Sequence, residues 1–165
     1  MPEKQTVERA RKAKRKGKSA STQAGEFVRE EMHHFREGKH GARSTKQAIA
    51  IGLSKARRAG VSLPPPEKGA VSEETRRSAK RAYQAGQRRK AKPSARRSKA
   101  TERALKREHR SAASKKALSQ HARSAARKRT RTERSASARR AARTKGLRGR
   151  SAAARKAART RAGRG

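Results

Sequence analysis

The chain has no cysteine, no aspartate and no tryptophan, and only two phenylalanines and one tyrosine in 165 residues. The first absence excludes disulfides, thiol nucleophiles and cysteine-ligated zinc fingers, and it suits a reducing compartment. The second leaves glutamate as the only acidic side chain, and no Ser-His-acid arrangement or P-loop is present. An enzyme is therefore not expected, and no cofactor is implied. The scarcity of rings argues against recognition of single strands by base stacking. No run approaches the roughly 20 apolar residues of a membrane span. The basic N-terminal residues lack both the apolar stretch of a secretory signal and the aliphatic face of a transit peptide.

Bulky apolar residues are also few. Leu, Ile, Val and Phe together number 13, about 8% of the chain, against the roughly 20% below which a highly charged sequence is expected to be disordered. What the chain does have is positive charge: 51 Lys or Arg against 12 acidic residues, a net +39. That charge opposes compaction by self-repulsion. The composition predicts a mostly disordered, all-α protein whose ordered part is a small two-helix hairpin.

The hairpin is the only segment with apolar residues at helical spacing. Phe27, Val28, Met32 and Phe35 gather on one stripe and predict a helix over 24–36. Ser44-Thr45-Lys46-Gln47 is a capping-box pattern. Behind it Ala48, Ile49, Gly52, Leu53 and Ala56 predict a second helix over 45–59, with Gly60 where a helix stop belongs. Around it the chain divides into a basic disordered arm (1–23), the hairpin with its proline strap Pro64-Pro65-Pro66 (24–66), a spacer (67–75) and a basic low-complexity tail (76–165). The strap is expected to end the folded unit, with Val61 and Leu63 folding back on it. Ser72 is expected to cap a short helix reaching about Ala85, closed by Gly86.

His33, His34 and His40 lie near Glu30 and Glu37, which raises metal binding. Adjacent His33 and His34 project about a quarter-turn apart on a helix, and no recognised zinc spacing is present. Solvated histidines on helix faces, and no metal, are expected. The acidic residues are likewise expected on exposed positions.

The tail carries 34 Lys or Arg against Glu102, Glu108 and Glu133 alone. A loose repeat runs through it: Arg110-Ser-Ala-Ala, Arg123-Ser-Ala-Ala, Arg134-Ser-Ala-Ser and Arg150-Ser-Ala-Ala, at irregular spacing that marks low complexity and not a solenoid. Ala, Arg, Lys and Leu favour helix, while like charges at i,i+3 and i,i+4 oppose it. The tail is thus predicted to be disordered alone and to gain helix on a polyanion. Duplex DNA carries one charge per ~1.7 Å, so the net charge matches roughly 20 base pairs. Alanines between the cations offer no hydrogen bonds to base edges, so no sequence readout is expected.

Two resemblances have residues behind them. Ser124-Ala-Ala-Arg-Lys-Arg129, Ala138-Arg-Arg-Ala-Ala-Arg-Thr-Lys145 and Ala154-Arg-Lys-Ala-Ala-Arg-Thr160 resemble the Ala/Lys/Arg tails of linker histones and bacterial histone-like proteins. This tail favours Arg and has no Pro after Pro93. Separately, Gly41-Ala-Arg-Ser-Thr-Lys-Gln-Ala-Ile-Ala-Ile-Gly-Leu-Ser-Lys-Ala-Arg-Arg-Ala-Gly60 is similar to a small bacterial domain family of unknown function, a resemblance that implies a bacterial source but supplies no activity.

These readings converge on a non-specific, histone-like DNA-binding protein of the bacterial nucleoid, and so of the cytoplasm. Its expected phosphate contacts are Lys39, Arg43, Lys46, Lys55, Arg57 and Arg58 in the hairpin, and Arg127, Lys128, Arg129, Arg139, Arg140, Arg155 and Lys156 in the tail. Duplex DNA is the expected partner. RNA or the ribosome is the alternative, because phosphate electrostatics do not separate the two. A third reading makes the hairpin a self-association or protein-interaction module whose helices complete their core against a partner. The tail lacks bulky apolar residues to insert into a membrane surface.

Overall fold

The computed structural model describes residues 2–88 and 94–163. Its described residues are helical: α1 (Lys4–Arg15), α2 (Ala20–Glu37), α3 (Thr45–Arg58), α4 (Glu73–Gln87), α5 (Ala95–Lys106), a 3-10 turn (Arg110–Ala113), α6 (Lys115–Arg127) and α7 (Arg131–Ala162). The expected disorder of both arms is therefore corrected to largely helical structure, except at residues 1, 89–93 and 164–165, which lie outside the described residues. The chain forms two compact units, Met1–His121 and Ala122–Gly165.

In the first unit each helix end is built from local chemistry. Ser19 caps α2 by accepting from the Thr22 N–H, and Ser44 caps α3 by accepting from the Gln47 N–H at 3.2 Å. Gln47 reaches back one residue further than a capping box requires and takes the Arg43 N–H at 2.8 Å. At the end of α3 the Gly60 N–H bonds to the Arg57 carbonyl and the Val61 N–H to the Ala56 carbonyl. Val61 and Ala56 also share an apolar cluster, which completes a Schellman stop at a glycine with φ +88°.

Helices α2 and α3 pack antiparallel along two apolar clusters. One joins Met32 and Phe35 of α2 to Ala48 of α3, with Ala42, Ala112 and Ala113 sealing that end. The other joins Ala24 and Phe27 to Ala56, and is closed by Ala10 of α1 and Val61 of the strap, with Val7 and Leu63 against it. The hairpin stripes are thus covered from within the chain. Helix α1 lies on α2, α4 lies on α3 through Ala79 and Ala82, and the turn at 110–113 contacts both central helices. The strap does not end the folded unit, because α4 beyond it packs back. Gly86 does not close α4 either. It lies inside the helix, where a Cβ would collide with the Arg57 carbonyl.

The first copy of the Arg-Ser-Ala-Ala repeat has a different role from the others. The Gly41 N–H donates to the Leu105 carbonyl at 2.8 Å and the Ala42 N–H to the His109 carbonyl at 3.1 Å. The Thr45 hydroxyl donates to the Ala112 carbonyl at 2.7 Å in a buried bond. These bonds hold Ala112 and Ala113 inside the core, while Ser124, Ala125, Ser151 and Ala152 of later copies are exposed.

In the second unit α7 opens with a capping box, Thr130 accepting from the Glu133 N–H and Glu133 accepting from the Thr130 N–H at 2.7 Å. It buries no residue and breaks at Gly146, whose φ of 64° and ψ of 177° are glycine-only values.

The approach of α2 to α3 generates a prediction of sign. An Ala at position 52 would place its Cβ 2.7 Å from the Val28 Cα, a backbone atom that cannot rotate away. Gly→Ala in a helix ordinarily stabilises by up to about 1 kcal/mol. Here we expect Gly52→Ala to destabilise by about 1–3 kcal/mol through overpacking, read by urea denaturation. A raised midpoint would contradict the packing described.

Candidate functional site

The cations singled out in the sequence fall into three environments. Lys46, Arg58, Arg127, Lys128, Arg129, Arg139, Arg140, Arg155 and Lys156 are exposed. Lys39 and Arg43 are exposed but held by carboxylates: Lys39 Nζ lies 3.0 Å from Glu37 Oε2 and 3.5 Å from Glu3 Oε1, and Arg43 Nε lies 3.0 Å from Glu108 Oε1. Lys55 and Arg57 turn inward. Arg57 is buried, donating from Nε to the Leu63 carbonyl and from Nη2 to the Pro64 carbonyl, each at 3.1 Å, and burial lowers its pKa from the usual value. It pins the strap, so its charge faces the protein. Lys55 pairs with Glu31 inside the unit. These two cations therefore face the protein. The expected contacts left open to solvent are Lys46, Arg58 and the partly neutralised Lys39 and Arg43 in the first unit, and the exposed cations of the second.

The charges that face inward form a cluster that sequence spacing did not reveal. Glu31 is fully buried and Glu30 nearly so, and His34 is 8% exposed. The expectation of solvated histidines and exposed glutamates is corrected here for His34, His40, Glu30 and Glu31; most other glutamates are exposed as expected, and so is His33, which pairs with Glu37 at 3.0 Å. The reason lies in segments distant in sequence. Glu3, just before α1, accepts from His34 Nε2 at 3.0 Å, and its own N–H donates to Glu30 Oε1 at 3.0 Å. The His34 hydrogen bond is the largest influence lowering the Glu3 carboxyl pKa, so this carboxylate is ionised. From the other side His40, in the connection after α2, folds over the ring of Phe35, edge to face at 4.8 Å. Burial lowers the His40 pKa and favours the neutral imidazole.

These residues converge on Glu31. Its Oε1 accepts from Lys55 Nζ and stands 3.6 Å from His34 Nδ1, and its Oε2 stands 3.6 Å from His40 Nε2. Glu31, His34 and His40 each present one ligand-type atom within 4.8 Å of the others. A signal for this existed in the sequence: Glu31 and His34 are i,i+3 on α2, a spacing that puts two ligands on one helix face. The missing information was which face is buried.

Residues 15–68 match a protein family described as a family of unknown function (DUF6496). The match contains the whole Gly41–Gly60 segment that resembles such a family, and it contains Glu30, Glu31, His34, His40 and Lys55. Glu3 and the segment that docks at 105–113 lie outside it. No curated protein and no solved structure matches the chain. No helix among the described residues is long and apolar enough to cross a membrane.

Removing one partner of a buried pair strands the other charge. We expect Lys55→Met to destabilise the fold by roughly 3 kcal/mol, whereas Lys46→Met, at an exposed position of the same helix, should change stability by less than about 0.5 kcal/mol. Equal midpoints for the two variants in chemical denaturation would show that Glu31 does not need Lys55.

Proposed function

We propose that the protein binds the phosphate backbone of duplex DNA without sequence preference, as a histone-like component of a bacterial nucleoid. The observation that carries this reading is α7: 32 residues, helical on either side of the break at Gly146, that bury nothing and in which every charged residue after Glu133 is Lys or Arg. A helix with no apolar face has no core to join. Repulsion along it is relieved by anions supplied from outside. The second unit carries seventeen Lys or Arg against Glu133 alone, enough for a sum of many weak contacts in which no one residue decides. Support from the first unit is weaker, since its cations are partly neutralised by its own glutamates.

The docked segment at 105–113 changes where the chain should be cut. Truncation at residue 75 would remove part of the first unit's core, whereas truncation after His121 keeps that unit's described contacts. In a salt-titrated binding assay the full chain should show a steep fall of log K with log salt, about 0.9 per phosphate neutralised on B-DNA. The 1–121 chain should lose most of the affinity and most of the slope, and single Arg→Ala changes in α7 should each cost less than about threefold. Equal affinity for unrelated duplexes completes the expected result. A tenfold loss from one α7 substitution, clear preference for a structured RNA at matched salt, or full binding by 1–121 would each overturn this reading.

A further inference from the structure

The cluster around Glu31 is incompletely satisfied as a hydrogen-bond network. Glu31 Oε2 and His40 Nδ1 are buried and have no hydrogen-bond partner. A fully buried carboxylate oxygen left bare is costly. The two imidazole nitrogens nearest the carboxylate do not relieve it, because 3.6 Å is too long for a hydrogen bond in either pairing. The same spacing fits atoms that share an ion: around a metal bound at about 2.0–2.1 Å, tetrahedral ligands stand about 3.4 Å apart. The second contact of His34 sets its tautomer. His34 Nε2 lies 3.0 Å from Glu3 Oε1, and an Nε2–H donated there leaves the lone pair on Nδ1, which faces Glu31. A carboxylate behind a histidine is the arrangement that orients metal-ligating imidazoles.

We propose that the Glu31 carboxylate, His34 Nδ1 and His40 Nε2 form a binding site for one divalent transition-metal ion of the zinc class. Two imidazoles and one carboxylate suit Zn²⁺ and its first-row neighbours, and not Mg²⁺ or Ca²⁺, which take oxygen ligands. Glu3 is the positioning residue for His34. The neighbouring group of Glu3, Glu30 and His34 is a poorer candidate for this class of ion, because it offers a single imidazole, whose Nε2 is already hydrogen-bonded to Glu3. Lys55 competes with the ion for Glu31. Its side chain is 23% exposed, and its flexible stem lets the ammonium move out to water when the ion enters. Metal binding would tie the 38–44 connection, through His40, to the face of α2, replacing an ion pair by a coordinated bridge. This inference is independent of the nucleic-acid reading, since none of its three ligands is a proposed phosphate contact.

The test uses the full chain and Co²⁺ as a spectroscopic probe, with Zn²⁺ as competitor and Mg²⁺ as control. One equivalent of Co²⁺ should give the intense visible bands of a tetrahedral nitrogen–oxygen site, abolished by Zn²⁺ and unaffected by Mg²⁺. His40→Ala and Glu31→Gln should lose the bands, and His33→Ala should keep them. Glu3→Gln should weaken binding by roughly 10- to 100-fold while leaving its stoichiometry unchanged. Lys55→Met should bind more tightly than the native chain, and Zn²⁺ should recover part of its lost stability. Should a variant fail to fold, the native chain itself decides: Zn²⁺ should shift the ring resonances of His34 and His40 and spare His33, His109 and His121. Weak octahedral-type bands, unchanged binding by folded His40→Ala, or equal shifts at all five histidines would each overturn the proposal.

Discussion

A carboxylate removed from water must be met by charge or hydrogen bonds, at a penalty that remains several kcal/mol even after relaxation. Glu31 is fully buried in the centre of α2, and meeting it involves much of the first unit. Helix α3 supplies Lys55, α2 itself supplies His34, and the connection between them supplies His40. His34 in turn is held by Glu3 at the N-terminal edge of α1, which also approaches Lys39 and donates its N–H to Glu30. One buried charge thus links the N-terminal segment, both central helices and the tip between them.

The apolar part of the unit is small, and its geometry compensates. Its core has two phenylalanines and one methionine, and most of the remaining buried residues are alanines. An alanine buries little surface, so the backbones must come close for dispersion contacts to accumulate. They do so at Gly52 against Val28, at Gly86 against Arg57 and at Gly41 against Glu108, where no side chain could fit without movement. Close backbones also exchange hydrogen bonds, as between 41–42 and 105–109. The alanine-rich turn at 110–113 is therefore held by directional bonds as much as by burial.

Local chemistry made part of this legible. The Ser44 cap, the stop at Gly60 and the stripe of Phe27, Met32 and Phe35 are signals that act within a few residues, and the structure places them in those roles. The Thr130 and Glu133 capping box belongs to the same class, inside a segment of low-complexity composition. The docking of Ala112 and Ala113 was not legible, because the same Ser-Ala-Ala sequence recurs twice where it is exposed. The difference is made by the Gly41–Thr45 backbone, more than 60 residues away. The burial of Glu31, His34 and Arg57 is hidden from the local sequence for a related reason. A charged residue on a short helix belongs by default to solvent, and partners from other segments hold these inside: Lys55 and His40 for Glu31, Glu3 for His34, and the Leu63 and Pro64 carbonyls for Arg57.

Charge is distributed between the units as unevenly as packing. All glutamates but Glu133 lie in the first unit, where several pair with cations of other segments and one requires such a partner inside the protein. Helix α7 has only Glu133, which serves its capping box. The first unit can thus offset part of its positive charge internally, and the energetic value of its cations is tied to particular neighbours, so that moving Lys55 or Arg57 would disturb the fold. Among the described residues of the second unit no Lys or Arg pairs with a carboxylate, and repulsion between like charges three and four residues apart on its helices is not offset from within. Within one chain, the first unit makes individual charges structurally specific, and the second makes them collectively available.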